Sequence, residues 1–339
     1  MKSERIVKTC GKLYLAGEYA VLSPGQAALI KNIPIFMTGR IQPAVTYRLA
    51  SDMFNHQASL EPDADYSLIQ ETIAVMNDWL LAQRITSQPF SLTISGKMER
   101  EGRKFGIGSS GSVVILTLKA MAAFYQLNVD AELLFKLAAF VLLRRGDNGS
   151  MGDLACIVYE DLVYYRSFDR AHIRKQLAAT DMMTIFAQDW GYQIRRIQPA
   201  LACDFLVGWT KEPAISKDLV EQVKSAIDDH FLSQTQRQVN LLAAALTGGD
   251  KTAVKASLEE VSSLLAGLSP AIYTAKLSQL KAAAEGLDCV AKSSGAGGGD
   301  CGIALVFNVE DKQILLQRWQ LAGIELLHQE RMGEYESES

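Results

Sequence analysis

Two stretches of small residues carry the chemistry this sequence offers. The first is Lys104-Phe105-Gly106-Ile107-Gly108-Ser109-Ser110-Gly111-Ser112; the second is Lys292-Ser293-Ser294-Gly295-Ala296-Gly297-Gly298-Gly299-Asp300. Glycine lets backbone N–H groups approach a ligand closely and adopts positive φ without strain, and serine adds hydroxyls. Such a loop is an anion cradle, above all where it opens a helix. One loop of this kind reads equally as a turn. Two, each beside a lysine, suggest a phosphate-rich ligand held from two sides.

Two better-known phosphate motifs fit poorly. Gly106, Gly108 and Gly111 spell G-x-G-x-x-G, the dinucleotide fingerprint, which needs an apolar strand directly before it. Here Glu101-Gly102-Arg103-Lys104 precede it, and Asp130, about 20 residues on, falls between two expected helices. The run from Gly286 to Ala291-Lys292-Ser293 nearly matches a P-loop, but Ala291 replaces the second glycine and a glycine run follows where a helix should. Phosphate binding by another architecture remains, with Arg103 and Lys104 at the mouth of the 106–112 loop. The plainer alternative is a tight strand-to-helix turn with solvated cations.

Two further residues could act beside that loop. Asp153 ends the turn Gly146-Asp147-Asn148-Gly149-Ser150-Met151-Gly152-Asp153, ahead of an apolar segment. A carboxylate there could take a proton from a hydroxyl or pair with a lysine; it could equally cap the turn. Lys12 is either a surface lysine of a hairpin or a cation that screens phosphate charge.

The elements that must position these residues follow from periodicity. Lys8 to Leu22 reads as two short strands around a turn at Gly17. Ile30 to Arg48 is strand-rich. Tyr66 to Gln83 has helical period, and Phe90 to Gly96 alternates as a strand. Val113 to Tyr125 is an apolar helix opened by the first loop. Ala131 to Leu143 is a second, capped by Asp130 or Asn128. Ala155–Tyr159 and Leu162–Tyr165 read as a hairpin. Leu201 to Trp209 is a strand; three or four helices follow over 216–285; strands at 288–291 and 303–307 flank the second loop. A helix at 312–322, a strand at 324–328 and a frayed tail from Gly333 complete the chain. The pattern is α+β, without regular β-α-β alternation.

Composition narrows the function. The 339 residues are 48% hydrophobic and 21% charged, enough for two tightly joined lobes around a large core. A net charge of −4 argues against a nucleic-acid surface and against attraction to anionic membranes, so any anion site must be a local basic pocket. Five scattered cysteines without C-x-x-C spacing fit a reducing, cytoplasmic setting. Four dispersed histidines give no support to a zinc site or a histidine triad. No run reaches the ~18 apolar residues of a membrane span, and no obligate protein partner is indicated.

Taken together and in order, these motifs resemble the GHMP kinases, named for galactokinase, homoserine kinase, mevalonate kinase and phosphomevalonate kinase. The segment from Gly11 to Leu22, through Gly17-Glu18-Tyr19, is similar to the family's N-terminal motif. Gly106 to Ser112 is similar to its GLGSSAA loop, and Lys292 to Asp300 to its C-terminal loop. Ser150-Met151-Gly152-Asp153 matches the spacing of its SGxD segment. The resemblance covers nearly the whole chain. It implies the GHMP kinase fold: an N-terminal lobe like ribosomal protein S5 domain 2 over 1–198 and a ferredoxin-like C-terminal lobe over 199–339. It implies an ATP- and Mg²⁺-dependent phosphotransferase, with ATP on Gly106, Ile107, Gly108, Ser109, Ser110, Gly111 and Ser112. Ser110 would help hold Mg²⁺. Lys12 and Asp153 would be catalytic, and Lys104, Tyr19, Ser150, Ser294 and Gly297 would contact the acceptor. Some relatives supply a metal-binding glutamate from the helix before the catalytic Asp; Phe140 to Leu143 is apolar here, leaving Ser110, Asp147, water and phosphate oxygens. Mevalonate kinases carry His where Tyr19 stands. The wording instead points to an acceptor acid that already bears a phosphate. Mevalonate or homoserine as acceptor, a non-catalytic nucleotide binder and a dehydrogenase are the alternatives.

Overall fold

The structure, a computed structural model, describes residues 3–177, 179–214 and 216–333. Most of the tail expected to fray lies outside the described residues. The fold is α+β and built on two sheets.

The first sheet grows from a long antiparallel pair, β1 (Arg5–Ala16) and β2 (Ala27–Pro43). Then come β3 (Arg48–Ser51), α1 (Ser67–Ala82), β4 (Phe90–Ser95), a small hairpin of β5 (Glu99–Arg100) and β6 (Arg103–Lys104), α2 (Ser109–Tyr125), α3 (Ala131–Arg144), α4 (Gly152–Tyr159), β7 (Val163–Arg166), α5 (Arg170–Leu177), α6 (Met182–Ala187) and β8 (Gln193–Arg196). Strand order is β3-β4-β2-β7-β8, with β1 also on β2. The second half comprises β9 (Cys203–Trp209), α7 (Ser216–Val223), α8 (Asp229–Gly248), α9 (Lys251–Leu268), α10 (Ala275–Ala282), β10 (Cys289–Ser293), β11 (Cys301–Val306), α11 (Val309–Leu321) and β12 (Glu325–Met332). Its four strands are antiparallel in the order β10-β11-β9-β12.

Side-chain alternation shows how the second sheet is buried. Phe205, Val207, Ile303 and Leu305 point into a core shared with the first half, while Leu206, Ala304 and Val306 face a smaller cluster with Leu280, Leu315 and Trp319. A period of two with apolar residues on both faces gives the unbroken apolar run of β11. The main core runs from Cys10 to Met332 without a break between the halves. Among the described residues, no helix is long and apolar enough to cross a membrane.

Three sequence expectations change. The segment expected as two strands before Leu22 is one strand, β1, with irregularities at Thr9/Gly11 and Tyr14/Ala16, followed by a short 3₁₀ turn over Ala20–Leu22. The expected 155–165 hairpin is half helix: α4 covers Gly152–Tyr159 and only β7 is a strand. A short apolar run carries no period to separate buried helix from buried strand. Asp153 therefore lies in the first turn of a helix, not in a turn before a strand. Finally, α5, α6 and β8 occupy a stretch in which periodicity suggested nothing.

Candidate active site

The 106–112 loop is built around its neighbours. Gly108 is the N-cap of α2 in a left-handed conformation, so the helix opens directly from the loop. Each glycine of the G-x-G-x-x-G run abuts a charged side chain. Asp300 Oδ2 fills the space a Cβ on Gly106 would need. Lys12 Cε would lie 2.8 Å from a Cβ on Gly108, and Asp153 Oδ2 2.9 Å from one on Gly111. Loss of three side chains thus lets three charged groups, from β11's approach, β1 and α4, converge on one loop.

Other loop residues fasten it. The Lys12 amide donates to the Ile107 carbonyl at 2.8 Å, and the Ile107 side chain is buried against Gly11. The Ser112 hydroxyl donates to the Cys10 carbonyl at 2.7 Å, and the Ser112 carbonyl accepts from Thr9 Oγ1 at 3.3 Å. The side chains of Ile107 and Ser112 are buried in the protein interior, so what these two residues can offer a nucleotide is backbone.

A cavity of about 240 Å³ lies between the halves beside this loop. Lys12, Tyr19, Ser150, Asp153, Ser294, Gly297 and Gly106 line it, so seven positions singled out in the sequence meet there. Tyr14, Glu18 and Asp300 line it too and were not expected. Each has a local signal: Glu18 and Asp300 are carboxylates inside otherwise small or apolar motifs, and Tyr14 is an aromatic two residues from Lys12.

Contacts across the cavity hold the halves in register. Ser294 Oγ donates to the Tyr14 carbonyl at 2.8 Å and accepts from the Tyr14 amide at 2.9 Å. The Tyr19 hydroxyl donates to the Ala296 carbonyl. Tyr19 does this from φ 63°, an uncommon conformation for a bulky residue. Lys292 Nζ bonds Glu18 Oε1 at 2.5 Å and the Ser293 carbonyl at 2.6 Å, with both side chains at most 2% exposed. Tyr14 Oη and Ser150 Oγ are 3.1 Å apart, and the Ser150 carbonyl accepts from Tyr165 Oη at 2.7 Å. The second glycine loop adds a polar floor. The amides of Ser294, Gly298 and Asp300 donate to the carbonyls of Cys301, Ile272 and Glu212, which fixes the loop, and Ser294, Gly295, Ala296, Gly297 and Gly299 line the cavity.

Lys12 has no ion-pair partner within 4.0 Å among the described residues, and its Nζ stands 5.1 Å from the Tyr14 ring centroid. Burial pushes the Asp153 carboxyl above its usual range; Lys12 and the Leu154 amide pull it back. The same balance holds Asp300 up, against the Ala214 amide, Lys12 and Lys104. Burial first, then the Asp153 charge, pushes Tyr14 up as well, so it stays a neutral hydrogen-bonding group. A lysine with no ion-pair partner among the described residues, sharing a cavity with two carboxylates, leaves a cation available to an anion.

A second cavity of about 150 Å³ opens on the other side of the loop. Met37, Met53, Phe54, Leu68, Ile69, Met98 and Val113 give it an apolar body; Ser109, Ser110 and Lys104 stand at its polar end. Lys104 lies here, and not along the first cavity where the sequence assigned it. The hairpin β5–β6 explains this: it carries Lys104 to the outer side of the loop, with Met98 and Glu99.

Residues 67–161 match the model of the GHMP kinases N terminal domain and 242–325 that of the GHMP kinases C terminal domain. A phosphomevalonate kinase of Streptomyces sp. (strain CL190) is 31% identical, with 93% of each chain covered. The chain belongs to the GHMP kinases. Within this family, the solved structure of Streptococcus pneumoniae phosphomevalonate kinase in complex with phosphomevalonate and AMPPNP is 55% identical. It covers 97% of this chain and 100% of its own, with a TM-score of 0.96. The mevalonate kinase of Methanococcus jannaschii shares the fold at 22% identity and a TM-score of 0.73. The GHMP kinase architecture accounts for both sheets and for the placement of both glycine loops at one site.

Proposed function

We propose that this GHMP kinase transfers the γ-phosphoryl group of ATP to (R)-5-phosphomevalonate, giving 5-diphosphomevalonate and ADP in the mevalonate pathway of isoprenoid precursor synthesis. The observation that carries this reading is that one glycine loop lines two cavities, through Gly106 on one side and Ser109 and Ser110 on the other, with Lys12 and Asp153 of the first cavity packed against Gly108 and Gly111. The apolar cavity suits a purine base. Ser109, Ser110 and the opening amides of α2 suit the triphosphate. The cavity between the halves suits a small polar acid: Lys12 and the Ser150 hydroxyl face it with groups that can donate to anionic oxygens, Ser294 holds the Tyr14 backbone at its edge, and Tyr19 walls one side.

An acceptor phosphate is nucleophilic as it stands. Its second ionisation lies near pH 6, so at neutral pH an oxygen can attack phosphorus without losing a proton first. The new P–O bond forms as the bond to the β-phosphate oxygen breaks. Catalysis then rests on alignment and charge screening. Lys12 supplies the screening cation. Asp153 fixes the field around it from the start of α4.

The donor set around Gly111 fits Mg²⁺, since Ser110, Asp153 and triphosphate oxygens are all hard oxygen ligands. Asp147 Oδ1 accepts from the Gly149 amide at 2.6 Å, which orients that carboxylate within the turn before α4. Ser110 and Asp153 would hold the ion, which neutralises phosphate charge when bound.

An ADP-release assay with phosphomevalonate, mevalonate and homoserine side by side tests the reading. Turnover with phosphomevalonate at least ~10²-fold above the other two in kcat/KM is expected, equivalent to about 2.7 kcal/mol of transition-state discrimination. Preference for mevalonate would make the chain a mevalonate kinase instead.

A further inference from the structure

Asp300 is the one charged group at the phosphate loop for which the catalytic reading has no role. It stands at the end of the second glycine loop, yet its carboxylate reaches the first. Its backbone is fixed on every side. The Thr210 amide and hydroxyl donate to its carbonyl at 2.8 and 2.9 Å, and its amide donates to the Glu212 carbonyl at 2.7 Å. One carboxylate oxygen, Oδ1, accepts from the Ala214 amide at 3.2 Å. The other enters the notch left by Gly106. The φ of 53° that this requires is one an aspartate tolerates better than most side chains.

A carboxylate held so firmly in a site for two polyanions opposes binding unless it does something for the cations there. Lys12 of β1 lines the same cavity and abuts Gly108, and Lys104 of β6 stands two residues before Gly106; both charges favour the ionised carboxylate, while burial keeps the neighbouring Cys301 a neutral thiol. Those lysines come from opposite sides of the loop, one per cavity. Asp300 lines the cavity of Lys12 and meets the loop at Gly106, two residues from Lys104.

Resting on the function proposed above, we propose that Asp300 is a positioning residue for phosphoryl transfer. Its carboxylate, seated in the Gly106 notch, draws Lys12 and Lys104 onto the phosphate that passes between the two cavities. It also ties the C-terminal loop to the phosphate loop, so both cavities keep one spacing. Its ionised form does this. Burial works against ionisation, and the Ala214 amide and the two lysines work for it.

Asp300→Asn keeps the shape and the oxygen that accepts from Ala214, while removing the charge. With phosphomevalonate and ATP, kcat should fall at least tenfold at neutral pH. KM for the acceptor should change less than threefold and KM for ATP by less than the tenfold expected for Lys104→Ala, and the melting temperature should not fall. A double-mutant cycle with Lys12→Ala supplies a readout that a structural role would leave unmoved. The combined loss should be clearly smaller than the product of the two single losses, because Asp300 acts through the lysine. A change in kcat below threefold, fully multiplicative losses, or a loss restored by raising Mg²⁺ would each overturn the proposal. Failure of the unmodified enzyme to turn over phosphomevalonate would sink the functional reading instead, and is scored separately.

Discussion

The carboxylate of Asp153 is lodged against the backbone of Gly111, with Oδ2 only 2.9 Å from where a Cβ on that glycine would be. The aspartate belongs to α4 and the glycine to α2. Two helix starts therefore face each other, and the absence of one methyl group sets the gap between them.

Asp153→Asn should lower kcat by at least ~10², within the range of electrostatic and acid–base groups. Steady-state kinetics with the fold checked by circular dichroism measures it; a change below threefold would return Asp153 to helix capping. The stability effect has the opposite sign. A carboxyl whose folded pKa is raised favours the fold fully below its unfolded pKa, and that contribution disappears as pH rises through the folded value. The ionised group is thus a burden at neutral pH. Asp153→Asn should melt higher than the unmodified protein at pH 7, with the difference vanishing below about pH 4.

Ser110→Ala removes a hydroxyl at the opening of α2. It should reduce kcat most strongly when Mg²⁺ is limiting and leave the melting temperature nearly unchanged, because Ser110 is exposed. Rates measured across a Mg²⁺ titration check this; an unchanged titration curve removes Ser110 from the metal.

Lys104→Ala tests the assignment of the two cavities. Lys104 shares its cavity with Ser109 and Ser110, so KM for ATP should rise about tenfold, near 1.4 kcal/mol, with the acceptor KM within a few-fold. Varying each substrate in turn decides it. The reverse pattern would restore Lys104 to the acceptor.

Glu18 and Lys292 should be indispensable singly and dispensable together. Replacing Lys292 with Met strands a buried carboxylate that already has one unpartnered oxygen, at a cost of about 3–5 kcal/mol. The double variant Glu18→Gln with Lys292→Met should recover much of that loss. Chemical denaturation of the three variants gives the comparison, and additive losses would mean the pair contributes nothing as a pair.

Much of this site could be read from the chain because its residues lie in short, compositionally odd segments. Lys12, Ser150, Asp153, Ser294 and Gly297 all reached the cavity between the halves. What sequence could not reveal was the use of the glycines. Motif logic assigns them to ligand phosphates, and here each also seats a side chain from elsewhere in the fold, a relation invisible without knowing which strands adjoin. The place of Lys104 in the second cavity was not legible for a similar reason: proximity in sequence to the loop does not say on which face of it a hairpin emerges. The helix at 152–159 was lost because an apolar run this short has no diagnostic period.

The unbroken core has a bearing on inheritance. Because Phe205, Val207 and Ile303 pack into the same interior as β1 and β2, the two halves are not interchangeable parts. A C-terminal half borrowed from a relative would have to bring a cation for Glu18, a hydroxyl for the Tyr14 backbone and a carboxylate that fits beside Gly106. A hybrid that traded whole lobes without these three groups would lose contacts on both sides of the seam.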